Sequence, residues 1–182
     1  IGSSAIPIDP AKIVGIVFTH QADSYSTVSE PDEDTAAIAR HLVNFLREEV
    51  AQHRLAPNLA PLQAGIGNIA NAVMMGLLES EFTDLTMYSE VLQDSTFELL
   101  DAGKLKFASG SSITLSERCN NRVFGNLAKY KDRLILRPQE ISNHPELVRR
   151  LGIIAVNTAL EFDIIDFIHK ISSFQLYTSI IS

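Results

Sequence analysis

Short β-branched runs alternate with helical periodicities along this chain, and that alternation restricts it to an α/β architecture. Residues 12–19 (KIVGIVFT), 85–91, 105–108, 133–137 (RLILR) and 152–160 read as strands, the first of them as a buried one. Helical patterns fall between them, so successive strands need crossover connections. The expected fold class is therefore α/β, a mostly parallel sheet with flanking helices. At 182 residues and 46% hydrophobic, the chain is long enough for one well-buried domain.

The clearest helix begins near residue 32. Asp32 and Asp34 favour its N-terminus, and Ile38, Leu42, Phe45, Leu46 and Val50 fall on one face. His53 and Arg54 stand near its end. The acidic run at 31–34 reads as helix-start electrostatics rather than a metal site. Further on, Ser95 and Glu98 fit an S-x-x-E capping box, and Gly103 is placed to stop the helix that follows. Ser116 is expected to cap a helix running to about Tyr130, and a short helix carries residues 146–151.

Composition removes several classes of function. A net charge of −7 argues against a general nucleic-acid binder, but leaves room for an anionic small molecule held at a helix N-terminus. The single cysteine, Cys119, forms no internal disulfide and reads as an incidental thiol. No apolar run reaches transmembrane length and no signal peptide opens the chain, so no membrane partner is expected. There is no G-x-S-x-G elbow and no phosphate-binding G-x-x-x-x-G-K-[ST] loop. His20, His41, His53, His144 and His169 form no H-x-x-x-H pair, and no metal site is expected.

Three features remain. Glu90 stands at the C-terminal end of a strand, where ligands bind in open α/β sheets. It is either a working carboxylate or a solvated residue of a βα loop. The turn Gly65-Ile66-Gly67-Asn68 opens a helix, so its N–H groups could approach a phosphate or carbonyl closely; a tight structural turn is the alternative. Asn143, in the segment 138–145 (PQEISNHP), offers an amide to a carboxylate or carbonyl, or else caps the helix that begins at Pro145.

Taken together, residues 88–94 (YSEVLQD), 62–73 (LQAGIGNIANAV) and 136–145 (LRPQEISNHP) resemble the acetyl-CoA hydrolase/transferase family. Within it they are most similar to the succinyl-CoA:acetate branch of the class I CoA-transferases. The resemblance covers roughly residues 6–164. It implies a partial CoA-transferase-like domain, of the NagB/RpiA/CoA-transferase type, over residues 1–164. This domain would be part of a C-terminal catalytic half. Residues 165–182 contain no glycine and match nothing in the family, so they are expected to be a divergent tail.

By the same resemblance, Glu90 is the nucleophile that attacks an acyl-CoA thioester and becomes a glutamyl-CoA thioester in a CoA-transferase of the succinyl-CoA:acetate type; the alternatives are an acetyl-CoA hydrolase and a catalytically inactive fragment. Gly65, Ile66, Gly67, Asn68 and Ile69 form the CoA-binding turn, Asn143 lies near the acyl group, and Leu160 is a further CoA contact. The implied partners are acyl-CoA and small carboxylates such as acetate or succinate, with a homodimeric parent protein. No cofactor is implied, because coenzyme A is a substrate. The implied compartment is cytoplasmic, or mitochondrial in a eukaryote.

Overall fold

A computed structural model describes residues 7–21, 24–27 and 31–157. The expectations for Leu160 and for the tail at 165–182 lie outside the described residues. In chain order the elements are α1 (Glu33–Ala51), β1 (Leu62–Ala64), α2 (Asn68–Glu79), β2 (Leu85–Tyr88), β3 (Val91–Leu92), α3 (Asp94–Asp101), β4 (Leu105–Gly110), β5 (Ser112–Ile113), α4 (Glu117–Phe124), β6 (Leu134–Leu136), α5 (Gln139–Ser142), α6 (Pro145–Leu151) and β7 (Ile154–Val156).

Five strands make one sheet in the order β6-β4-β2-β1-β7, every neighbouring pair parallel, and β3 and β5 form a separate parallel pair. The expected α/β class with a parallel sheet is therefore what the chain adopts. From β1 the chain adds β2, β4 and β6 on one side, then returns to place β7 on the other. The order reverses at β1, and in such sheets a crevice opens outside the carboxyl ends of the strands at the reversal.

Apolar residues of the strands meet those of the covering helices in one core. Leu62, Leu85, Met87 and Leu105 from the sheet are fully buried with Met74, Leu77, Phe97, Leu99 and Leu100 from α2 and α3. The helix α1 lies against α2 at Gly76, where an added Cβ would sit 3.3 Å from Val43 Cγ2 and 3.5 Å from Ala39 Cβ. That close approach fixes which side of α1 is covered.

Several local expectations need correction. The apolar run at 12–19 is not a buried strand. It has no ladder partner among the described residues, and Val14, Val17 and Phe18 are about nine-tenths or more exposed. A strand exists only by pairing with another strand, and β-branched composition alone supplies no partner. The acidic run at 31–34 does start α1, with Asp32 accepting from Thr35 N–H at 2.8 Å. The buried side of α1 is however Ala39, Val43 and Leu46, while Ile38 and Phe45 are exposed. The cap of α3 is Gln93 paired with Thr96, two residues before the S-x-x-E match at Ser95 and Glu98. Gly103 does follow α3 with φ +73°, the left-handed conformation that stops a helix. Ser116 caps α4 as expected, but α4 ends at Phe124, and only a short 3-10 turn, Leu127–Lys129, precedes Tyr130.

Candidate functional site

The carboxyl ends of β1, β2 and β7 come together, and the connections that leave them form the candidate site. Ala64 is in register with Val156, and Leu62 with Met87, so the residues just beyond these strands emerge side by side. Hydrogen bonds between the connections hold them in place. Ser89 donates from its hydroxyl to Ala64 O at 3.2 Å, Gly65 N–H donates to Val156 O at 2.8 Å, and Gln93 Nε2 donates to Gly65 O at 3.0 Å.

Glu90 stands between β2 and β3. Its carbonyl accepts from Ser111 N–H at 2.7 Å and Ser112 N–H at 3.1 Å, which ties its backbone to the end of β4. The side chain is exposed, and its Oε1 accepts from Gln139 Nε2 at 3.0 Å. Two hollows meet at this carboxylate. One, of about 430 Å³, is lined by Gln63, Gly65, Ile66, Glu90 and Asn157. The other, of about 20 Å³, is lined by Tyr88, Ser89, Glu90, Ser142 and Asn143 among others.

The glycine turn leads directly into α2. Gly67 takes φ +131°, a conformation open to glycine, and serves as the N-cap without a side chain. Asn68 and Ile69 form the first turn of α2, and Ile66 points outward, 73% exposed. Gly65 has a different reason to be glycine. A Cβ there would lie 2.5 Å from Asn157 Oδ1. The amide of Asn157 is in turn paired with Gln63, donating from Nδ2 to Oε1 at 2.9 Å.

Asn143 is exposed and closes the end of α5, while His144 occupies the N-cap of α6. Asn143 is therefore not the N-cap of α6, and it lines the smaller hollow beside Glu90. The segment is fastened to β2 by Tyr88, whose hydroxyl donates to Ile141 O at 2.6 Å. Burial raises the Tyr88 phenol above its usual range, opposed by the nearby Arg137, so it remains a donor at neutral pH.

Glu90, Asn143 and the turn at Gly65, Ile66 and Gly67 are thus brought to one edge of the sheet. Three residues of the site escaped the reading of the sequence: Gln63, Gln139 and Asn157. The first two lie inside the motifs quoted above, and Asn157 lies inside the run at 152–160 but just beyond the end of β7; only Asn157 thus carried the signal of a strand end, and that end falls earlier than the run suggests. Cys119 lies far from this role: it is buried, and burial pushes its thiol up from the ordinary value. Among the described residues, no group of three or more His, Cys, Asp or Glu side chains is arranged to hold a metal ion, and no helix is long and apolar enough to cross a membrane.

No family model matches the chain. It is 49% identical over 164 residues to an acetyl-CoA hydrolase of Schizosaccharomyces pombe, covering 90% of this chain and 32% of that one. It is 48% identical over 163 residues to an acetyl-CoA hydrolase of Saccharomyces cerevisiae, covering 90% of this chain and 31% of that one. The chain therefore spans about a third of the length of the curated relatives it matches. Among solved structures, RipA from Yersinia pestis superposes with a TM-score of 0.62 at 17% identity, covering 80% of this chain and 32% of that one. A 4-hydroxybutyrate CoA-transferase from Porphyromonas gingivalis gives a TM-score of 0.56 at 20% identity, covering 75% and 34%. The family resemblance carried by the three sequence motifs is borne out by these relatives and by this fold.

Proposed function

We propose that this chain, a homologue of one third of the acetyl-CoA hydrolases with a CoA-transferase fold, carries the nucleophile and part of the CoA site of an acyl-CoA:carboxylate CoA-transferase of the succinyl-CoA:acetate type. The observation that carries the reading is the place of Glu90, held by its backbone at the junction of two hollows, with the glycine turn on one side and Asn143 on the other.

The chemistry follows from the groups present. One Glu90 carboxylate oxygen attacks the thioester carbonyl, and the C–S bond breaks to release CoA thiolate, leaving a mixed anhydride. The thiolate then attacks the Glu90 carbonyl carbon. The bond to the acyl oxygen breaks, the acid leaves as its carboxylate, and Glu90 is left as a glutamyl-CoA thioester. An acceptor such as acetate reverses the two steps and leaves as the new acyl-CoA. Asn143 would hold the acyl carbonyl. The turn from Gly65 to Ile69 would receive the CoA, with Leu160 as a further contact, and no cofactor is needed beyond the CoA substrates.

A second reading has its own support. The curated relatives are named hydrolases, and Glu90 is open to solvent. Water attacking the glutamyl thioester would release CoA and restore the carboxylate. Incubation with acetyl-CoA followed by peptide mass spectrometry tests the shared step: a CoA adduct is expected on the peptide containing Glu90 and none in Glu90→Ala. An adduct on another peptide, or none, overturns the assignment. Free CoA release that needs no added acetate selects the hydrolase.

A further inference from the structure

The amide of Gln139 touches the reacting carboxylate. Because an ionised carboxylate only accepts, Gln139 presents its NH₂ group to Glu90 Oε1, at 3.0 Å. The backbone is fixed at both ends of this contact. Gln139 opens α5, its carbonyl accepts from Asn143 N–H at 2.8 Å, and α5 is tied to β2 through the Tyr88 hydroxyl on Ile141 O. Glu90 follows that same strand, and Ser111 and Ser112 hold its carbonyl. Both partners are thus positioned from β2.

Resting on Glu90 as the nucleophile, we infer that Gln139 is the hydrogen-bond donor to the oxygen of Glu90 that does not attack. When the other oxygen forms the bond to the acyl group, the oxygen facing Gln139 becomes the carbonyl oxygen of the mixed anhydride. Attack of CoA thiolate on the Glu90 carbonyl carbon moves the π electrons onto that oxygen. Collapse of this tetrahedral species reforms the carbonyl and expels the acyl carboxylate. The same oxygen becomes negative again when acetate or water attacks the glutamyl thioester and CoA thiolate leaves. A donor already aimed at this atom strengthens as its charge grows from carbonyl to oxyanion. It also leaves the attacking oxygen free of a competing hydrogen bond. The smaller hollow beside Asn143 would serve the acyl carbonyl; Gln139 serves the enzyme's own carbonyl, which is a different centre.

The test uses the 182-residue chain with acetyl-CoA, following formation of the CoA adduct at Glu90 by intact mass and its decay after addition of acetate. Gln139→Met keeps the side-chain length without the donor, and Gln139→Glu keeps the shape but substitutes a second acceptor. Both leave the main-chain bonds of α5 intact. Each is expected to slow adduct formation and decay by about 10²-fold, with the half-saturating acetyl-CoA concentration unchanged. Rates within twofold of the parent overturn the inference, as does a rise in half-saturation with an unchanged maximal rate, which would make Gln139 a binding residue. If the parent chain forms no adduct at Glu90, the nucleophile assignment falls first and this inference with it. An adduct that forms and decays equally in all three chains overturns the inference alone.

Discussion

Gly65 separates two explanations of a glycine turn, and a double-mutant cycle with Asn157 decides between them. Its backbone needs no glycine, since only Gly67, Gly103 and Gly152 among the described glycines take positive φ. What forbids a side chain is space. A Cβ at Gly65 would meet Asn157 Oδ1 at 2.5 Å and the carbonyl of Val156 at 3.3 Å. The Val156 carbonyl accepts from Gly65 N–H within the site's main-chain frame and has little freedom to move. The Asn157 amide must therefore retreat by about 0.9 Å to reach ordinary contact, which breaks its 2.9 Å bond to Gln63. Overpacking of this kind costs about 1–3 kcal/mol, and the stiffer unfolded chain of Gly→Ala returns about 0.4–1 kcal/mol. Gly65→Ala should thus lose about 1 kcal/mol in urea denaturation followed by circular dichroism. In the Asn157→Ala background the 2.5 Å contact is gone, and the same substitution should be close to neutral. A cost that agrees in both backgrounds to within about 0.5 kcal/mol refutes the steric account. Normal stability in Gly65→Ala with loss of CoA binding would point to a glycine kept for the ligand alone.

Two further outcomes follow from the same geometry. Gly67→Ala, forced to φ +131° at the start of α2, should cost about 1–3 kcal/mol in the same assay, with no single partner substitution that restores it. Burial opposes ionisation of Asp101, but the Lys129 ammonium, the Tyr130 hydroxyl and Arg122 outweigh it and hold the carboxyl below the usual carboxylate range. A carboxyl depressed by folding contributes stability that is present above about pH 4 and lost as the pH falls below it. Lys129→Met should therefore flatten the acid limb of stability against pH below about pH 4; an unchanged limb would refute the part given to Lys129 in holding the Asp101 carboxyl down.

The alternation of strand and helix, and with it the parallel sheet, was legible because crossover topology follows from element order. The places of Glu90 and the Gly67 turn were legible too, because strand ends and glycine turns are local signals. Pairings across the fold were not. Gln63 and Asn157 are 94 positions apart, and nothing local announces that their amides meet. Asn143 and His144 are adjacent, and which of them caps α6 depends on α5 ending at Ser142, a matter of one hydrogen bond. The run at 12–19 shows the opposite failure: its local signal is strong, yet β structure needs a ladder partner, and none of the described strands pairs with it.

Main-chain atoms supply the frame of the site, while the side chains that would do chemistry stand in solvent. Ala64 O, Gly65 O, Val156 O and Glu90 O are each engaged by a neighbouring connection, whereas Glu90, Gln139 and Asn143 are exposed. That division explains how a carboxylate with little burial of its own keeps a defined position. It also bears on which reaction the proposed chemistry favours. A glutamyl thioester is a stable intermediate only where water is kept from it, and transfer to acetate competes with hydrolysis at the same carbon. With the larger hollow open beside Glu90, the neighbouring connections position this carboxylate without enclosing it. On this reading the transfer-to-hydrolysis ratio is set by whatever covers that hollow when CoA is bound, and Glu90 with its supporting bonds is common to both outcomes.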